Sequence, residues 1–167
     1  MNATLRCAVA ALMLSQTMAG AARAEMTPGT LSVGREGEAH MLFDLEALDA
    51  LPQVSFETAT VWTDEIQSFS GVPVAVLLGE AGLSEAIGQE GGVLQLAALN
   101  DYKVEIPLDE ITPELPIVAT RIDGETVSVR DKGPYWLVYP YDLDARYRRE
   151  EIYHRSIWQL AQMTVLE

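Results

Sequence analysis

The chain predicts an α+β fold, a single domain of mixed β-sheet with short helices. Three observations carry this. Apolar residues fall in many short β-prone runs, and few stretches show helical spacing. Two turn pairs, Asn100-Asp101 and Asp123-Gly124, each sit between two such runs. No internal repeat, low-complexity tract or long linker divides the 167 residues.

Taken in order, Thr30–Val33 is short and β-prone. Phe43–Leu48 spaces its apolar residues as a helix does, with Asp44 as N-cap and Pro52 beyond its end. Val54–Val61 alternates and is rich in β-branched residues, which predicts a strand. Val72–Ala81 predicts an apolar helix with Pro73 in its first turn and Gly82 closing it. Val93–Leu99 and Tyr102–Ile106 form a hairpin about Asn100-Asp101, and Ile117–Ile122 and Glu125–Val129 a second about Asp123-Gly124. Tyr135–Tyr139 predicts a strand that stops at Pro140, and Ser156–Leu166 predicts the last. Between them, Tyr141–Tyr153 is the most charged segment and reads as a mobile loop, serving as a lid, a partner patch or simply a solvated surface.

Residues 1–24 have the form of a signal peptide: Arg6, an apolar run from Ala8 to Leu14, and Ala22-Arg23-Ala24 as a cleavage site. The apolar run is far short of the roughly 20 residues a membrane span requires, and no later stretch is apolar enough. The expectation is a periplasmic protein of residues 25–167 with no membrane insertion. Removing Arg6 and Arg23 takes the formal charge from −14 to about −16. Such a surface excludes nucleic acid, whose binding depends on neutralising phosphates, and disfavours anionic membranes. The single cysteine, Cys7, leaves with the leader, so no disulfide is expected.

Five segments in order resemble the molybdopterin-binding domain of the sulfite-oxidase type: Phe69–Leu78 (FSGVPVAVLL), Leu99–Tyr102 (LNDY), Ile122–Glu125 (IDGE), Lys132–Pro140 (KGPYWLVYP) and Ser156–Trp158 (SIW). The resemblance covers residues 54–167, about two-thirds of the 167 residues. It implies a sulfite-oxidase-like fold and a cavity for a pterin cofactor. The departures bear on function. In that family a cysteine after the Val54–Val61 strand binds the metal; here Trp62-Thr63-Asp64 occupies that neighbourhood. An arginine and a lysine that help hold the anionic cofactor are Trp136 and Ile157 here. A soft thiolate is hard to replace in such metal chemistry, and His40 and His154 lack metal-ligand spacing. Molybdenum is therefore not expected, nor any covalently bound cofactor.

The pattern is similar to small periplasmic pterin-binding regulators of this fold. It implies a non-catalytic exported protein that binds a free reduced pterin and relays its status to the periplasmic domain of a membrane sensor or a cyclic di-GMP enzyme. A pterin is a flat ring that stacks on aromatic side chains, and its amino-oxo edge pairs with a carboxylate. Trp62 is expected to stack and Asp64 to accept from that edge, unless they are a surface tryptophan and a loop cap. Asp101 and Tyr102 border the cavity by the resemblance, although Asn100-Asp101 is also ordinary turn chemistry. Arg130 and Lys132 are candidates for a ligand carbonyl or side chain, against a weak local ion pair. Trp136 replaces a family cofactor contact or is core; Trp158 reads as core. Tyr139, Tyr141 and Tyr147 rim a pocket or cover a sheet edge. The alternatives are a molybdopterin-dependent oxidoreductase or its accessory subunit, and an interaction module that has lost its ligand. Hydrolysis is disfavoured, since nothing near His40 or His154 suggests a nucleophile–base pair.

Overall fold

Two five-stranded sheets form the core. The computed structural model describes residues 26–63 and 65–166; the expected signal peptide, its Cys7 and the candidate Asp64 lie outside the described residues. In the first sheet the order is β2 (Met41–Phe43), β1 (Leu31–Arg35), β10 (Leu160–Leu166), β5 (Val93–Ala98) and β6 (Lys103–Pro107). β1 and β10 run parallel, with Val33 opposite Met163, and all other neighbours are antiparallel, so the sheet is mixed as expected. The second sheet joins β3 (Val54–Thr58), β4 (Gln67–Pro73) and β7 (Ile117–Ile122). Two short strands, β8 (Glu125–Thr126) and β9 (Trp136–Val138), share the other edge of β7.

Local sequence explains these elements. Leu31, Val33, Leu94 and Leu96 alternate into the core, while Ile117 to Thr120 are buried on successive positions, as in a strand covered on both faces. Asp44 caps α1 (Leu45–Asp49), its carboxylate accepting from the Ala47 amide at 2.8 Å. Helix α2 (Val74–Glu80) buries Val74, Leu77 and Leu78 at helical spacing. It ends as expected at Gly82 (φ +75°), where Leu83 N donates to Leu78 O at 2.7 Å and Gly82 N to Gly79 O at 3.0 Å, a glycine-closed terminus.

The structure corrects several boundaries. Val72 and Pro73 belong to β4, paired with Val118 and Ile117, and the helix starts only at Val74. Pro73 has no amide to give the ladder, so the strand stops there and the chain turns into the helix. β4 and β2 were hidden because each is short or polar on one side. The Val54–Val61 strand ends at Thr58, and the Glu125–Val129 strand pairs over Glu125–Thr126 only. Above all, Tyr141–Tyr153 is not a loop throughout. It contains a tight turn at Ala145–Tyr147 and leads into helix α3 (Glu150–Arg155), with Tyr141, Tyr147 and Ile152 buried. Its charges face outward and mask three apolar anchors. Tyr139, Tyr141 and Tyr147 are therefore core residues. Among the described residues no helix is long and apolar enough to cross a membrane.

Candidate ligand-binding site

The two sheets are stitched together just before β10. Leu137 N donates to Ile157 O and Leu160 N to Tyr135 O, both at 2.9 Å, and Trp136 and Trp158 form an antiparallel bridge. This seam places Trp136 beside Trp158, their ring centroids 6.3 Å apart. The third indole arrives on the β3–β4 connection. There Thr60 and Thr63 close a tight turn: the Trp62 amide donates to Thr60 Oγ1 at 3.1 Å, and the Thr60 amide donates to Thr63 Oγ1 at 3.2 Å. Trp62 packs edge-on against both other indoles, at 5.8 Å from Trp136 and 5.5 Å from Trp158, and at 6.1 Å from Tyr153.

Trp136 is the buried base of this cluster. It is 3% exposed, packs against Phe69 at 5.5 Å, and donates from Nε1 to Ser156 O at 3.1 Å. Trp158 is 36% exposed and Trp62 half-buried, so their outer faces are available. Beside them lies a hollow of about 350 Å³, within the usual range for a small-molecule site. Trp62, Trp158, Tyr153, Ile157 and Ala98 supply its apolar lining, and Asn100, Tyr102, Glu150, His154 and Ser156 its polar groups. The Tyr102 hydroxyl lies 3.3 Å from His154 Nε2. Among the described residues no lysine or arginine lines it.

A buried relay holds this wall. The Tyr141 hydroxyl donates to Ser156 Oγ at 2.6 Å, and Ser156 Oγ donates to Ile152 O in α3 at 2.7 Å. Burial pushes the Tyr141 phenol above the ordinary tyrosine range. The next residue, Asp142, clamps the end of β3, its Oδ2 accepting from Ala59 N at 2.7 Å and from Thr58 Oγ1 at 3.1 Å. Those bonds, the Ala59 amide first, hold the Asp142 carboxyl below the usual carboxylate range.

Of the expected site residues, the structure brings Trp62 and Tyr102 to this hollow and places Trp136 directly behind it. Lys132 and Trp136 instead line a second, more open polar hollow with Thr63, Gln67 and Asp123, and Lys132 Nζ stands 6.0 Å from the Trp136 ring. The cavity expected between the Trp62 turn, the Asn100-Asp101 turn and Lys132–Trp136 is thus two hollows divided by the Trp62–Trp136 contact. Asp101 sits at the turn with φ +65° and lines neither of these hollows. Arg130, in the turn Val129–Asp131, is exposed and also lines neither. Asn100, Glu150, Tyr153, His154 and Trp158 were missed. Glu150, Tyr153 and His154 stand at i, i+3 and i+4, the signature of one helix face, but only once the charged segment is recognised as helical.

The fold is similar to that of the sulfane dehydrogenase SoxCD from Paracoccus pantotrophus, with a TM-score of 0.60 and 18% sequence identity over 81% of this chain. The matched region spans 37% of the SoxCD chain. The chain therefore has the sulfite-oxidase-like fold that its five segments implied. No family model and no curated protein matches the chain.

Proposed function

We propose that this is an exported, non-catalytic protein that binds a free pterin in the hollow beside Trp62 and Trp158 and passes the bound state to a membrane sensor, such as one controlling cyclic di-GMP. The observation that carries the reading is the aromatic hollow itself. Two indoles and two phenols border about 350 Å³, and among the described residues the lining holds no cysteine, lysine or arginine. A flat heteroaromatic ring stacks on such faces, and each stacked ring is worth about 1–3 kcal/mol in comparable base–aromatic contacts.

The residues do not fit a molybdenum cofactor. Cys7 is the chain's only cysteine and lies in the expected leader. Among the described residues, no three His, Cys, Asp or Glu side chains cluster as metal ligands. Among the described residues the hollow's lining carries no lysine or arginine to meet a phosphate. A ligand without metal and without phosphate suits this lining better, which favours the binding protein over the oxidoreductase reading.

In that account α3 is the relay. It contributes Glu150, Tyr153 and His154 to the hollow, and Glu151 and the preceding Arg149 are exposed beside them. Occupancy would bias the position of α3 and so the surface a partner meets. Isothermal titration of the mature protein with tetrahydropterins tests the binding step, with saturable one-site binding expected. Absence of heat and of bound pterin after co-purification would refute it.

A further inference from the structure

We infer that Glu150 determines which heteroaromatic ring this hollow accepts, by taking two adjacent N–H groups of the ligand's edge. The inference rests on the pterin reading above and names the recognition group within it. The sequence assigns the edge-accepting carboxylate to Asp64 and places Asp101 only at the border of the cavity. Asp64 lies outside the described residues, and Asp101 lines no part of the hollow. Among the described residues Glu150 is the carboxylate on the lining, at the start of α3 and on the same helix face as Tyr153 and His154. It has no hydrogen-bond or ion-pair partner among the described residues, whereas neighbouring Glu151 is paired with Arg149 at 3.5 Å. The polar neighbours on the lining, Asn100, Tyr102, His154 and Ser156, are already engaged. Asn100 Oδ1 accepts from the Tyr102 amide, Tyr102 and His154 meet each other, and Ser156 Oγ serves the buried relay.

An ionised carboxylate only accepts hydrogen bonds, and it accepts best from two parallel N–H groups. A 2-amino-4-oxopteridine offers that pair in its 2-amino group and ring N3–H. A 2,4-dioxopteridine has the same ring size and stacking face, but it flanks N3–H with carbonyls that would confront the carboxylate. Stacking on Trp62 and Trp158 cannot separate the two; Glu150 can. Among the described residues an anionic tail would find no lysine or arginine on this lining, so a phosphate or carboxylate substituent would lead out of the hollow.

The test uses the mature protein, titrated calorimetrically with pterin and with lumazine, its 2,4-dioxo analogue. Wild type should prefer pterin by about tenfold or more, the scale of a charge-assisted pair at an accessible site. Glu150→Gln presents one acceptor and one donor, which matches the N–H and C=O of lumazine, and should bring the two affinities within about threefold or reverse them. Trp62→Ala should weaken both ligands together, leaving their ratio unchanged. If Glu150→Gln keeps the full preference while Trp62→Ala abolishes binding, the role of Glu150 is overturned and the pterin reading stands. If wild type binds neither compound and no tetrahydropterin either, the pterin reading itself falls and this inference with it; if it binds a tetrahydropterin with no preference for pterin over lumazine, only the role of Glu150 falls.

Discussion

Replacing Ser156 with alanine should destabilise the protein more than replacing Tyr141 with phenylalanine, and the two changes together should cost less than their sum. Both groups are buried, Tyr141 being 1% and Ser156 2% exposed. Among the described residues every buried side-chain nitrogen and oxygen has a partner, so the relay has no slack. Tyr141→Phe removes the 2.6 Å bond but leaves Ser156 Oγ donating to Ile152 O. The net loss is one hydrogen bond, about 1 kcal/mol. Ser156→Ala strands two groups at once, a buried phenol O–H and a carbonyl in the last turn of α3, which costs roughly 2–3 kcal/mol. In the double variant the phenol is gone and only the Ile152 carbonyl is orphaned, so the total should be about 2 kcal/mol with a coupling of at least 1 kcal/mol. Urea titrations followed by far-UV circular dichroism at constant m-value read these numbers directly. Equal costs for the two single variants, or strict additivity, would refute the relay.

Three further outcomes follow from the geometry. Trp62→Ala removes a stacking face and should weaken pterin binding by about 5- to 150-fold with little loss of stability, since Trp62 is half-buried at the rim; calorimetry with a melting curve checks both. Asp142→Asn should cost up to about 1 kcal/mol at neutral pH, because the clamp on Ala59 and Thr58 loses its charge at an exposed site. The folded carboxyl titrates below its unfolded value near 3.9, so this stabilisation is present above about pH 4 and fades as pH falls through the folded value. The gap between wild type and variant should therefore close in acid, and a gap unchanged from pH 7 to pH 3 would sink the assignment. Gly71→Ala should cost several kcal/mol or prevent folding, because a Cβ there overlaps the Val118 carbonyl at the β4–β7 irregularity; loss of soluble, folded protein on expression is the readout.

Much of the fold was legible because its local signals agree with its tertiary structure. Asp44 is a cap in sequence and in space, Gly82 closes α2, and Asn100-Asp101 and Asp123-Gly124 each turn the chain between paired strands. The failures share a cause. Pro73 marks a helix start in sequence, but whether Val72 lies before or within the helix depends on Val118 across the sheet, a partner 46 positions away by number. The charged segment after Tyr141 looks loop-like because its acidic and basic residues outnumber the three side chains that anchor it. The site was half legible for the same reason. Trp62 and Tyr102 sit on turns whose chemistry can be read locally. Glu150, His154 and Trp158 enter only because the seam beside β9 and the packing of α3 bring distant positions to one wall.

The three indoles of the cluster are also the only three tryptophans in the chain. Every photon the protein emits under 295 nm excitation therefore originates within one contact of the hollow, and none comes from elsewhere to dilute it. Transition dipoles held edge-on at such separations should couple into a split circular-dichroism band near 230 nm. The molecule thus carries an unlabelled optical gauge of occupancy, whose couplet should change when a ring enters and weaken to the Trp136–Trp158 pair if Trp62 swings away.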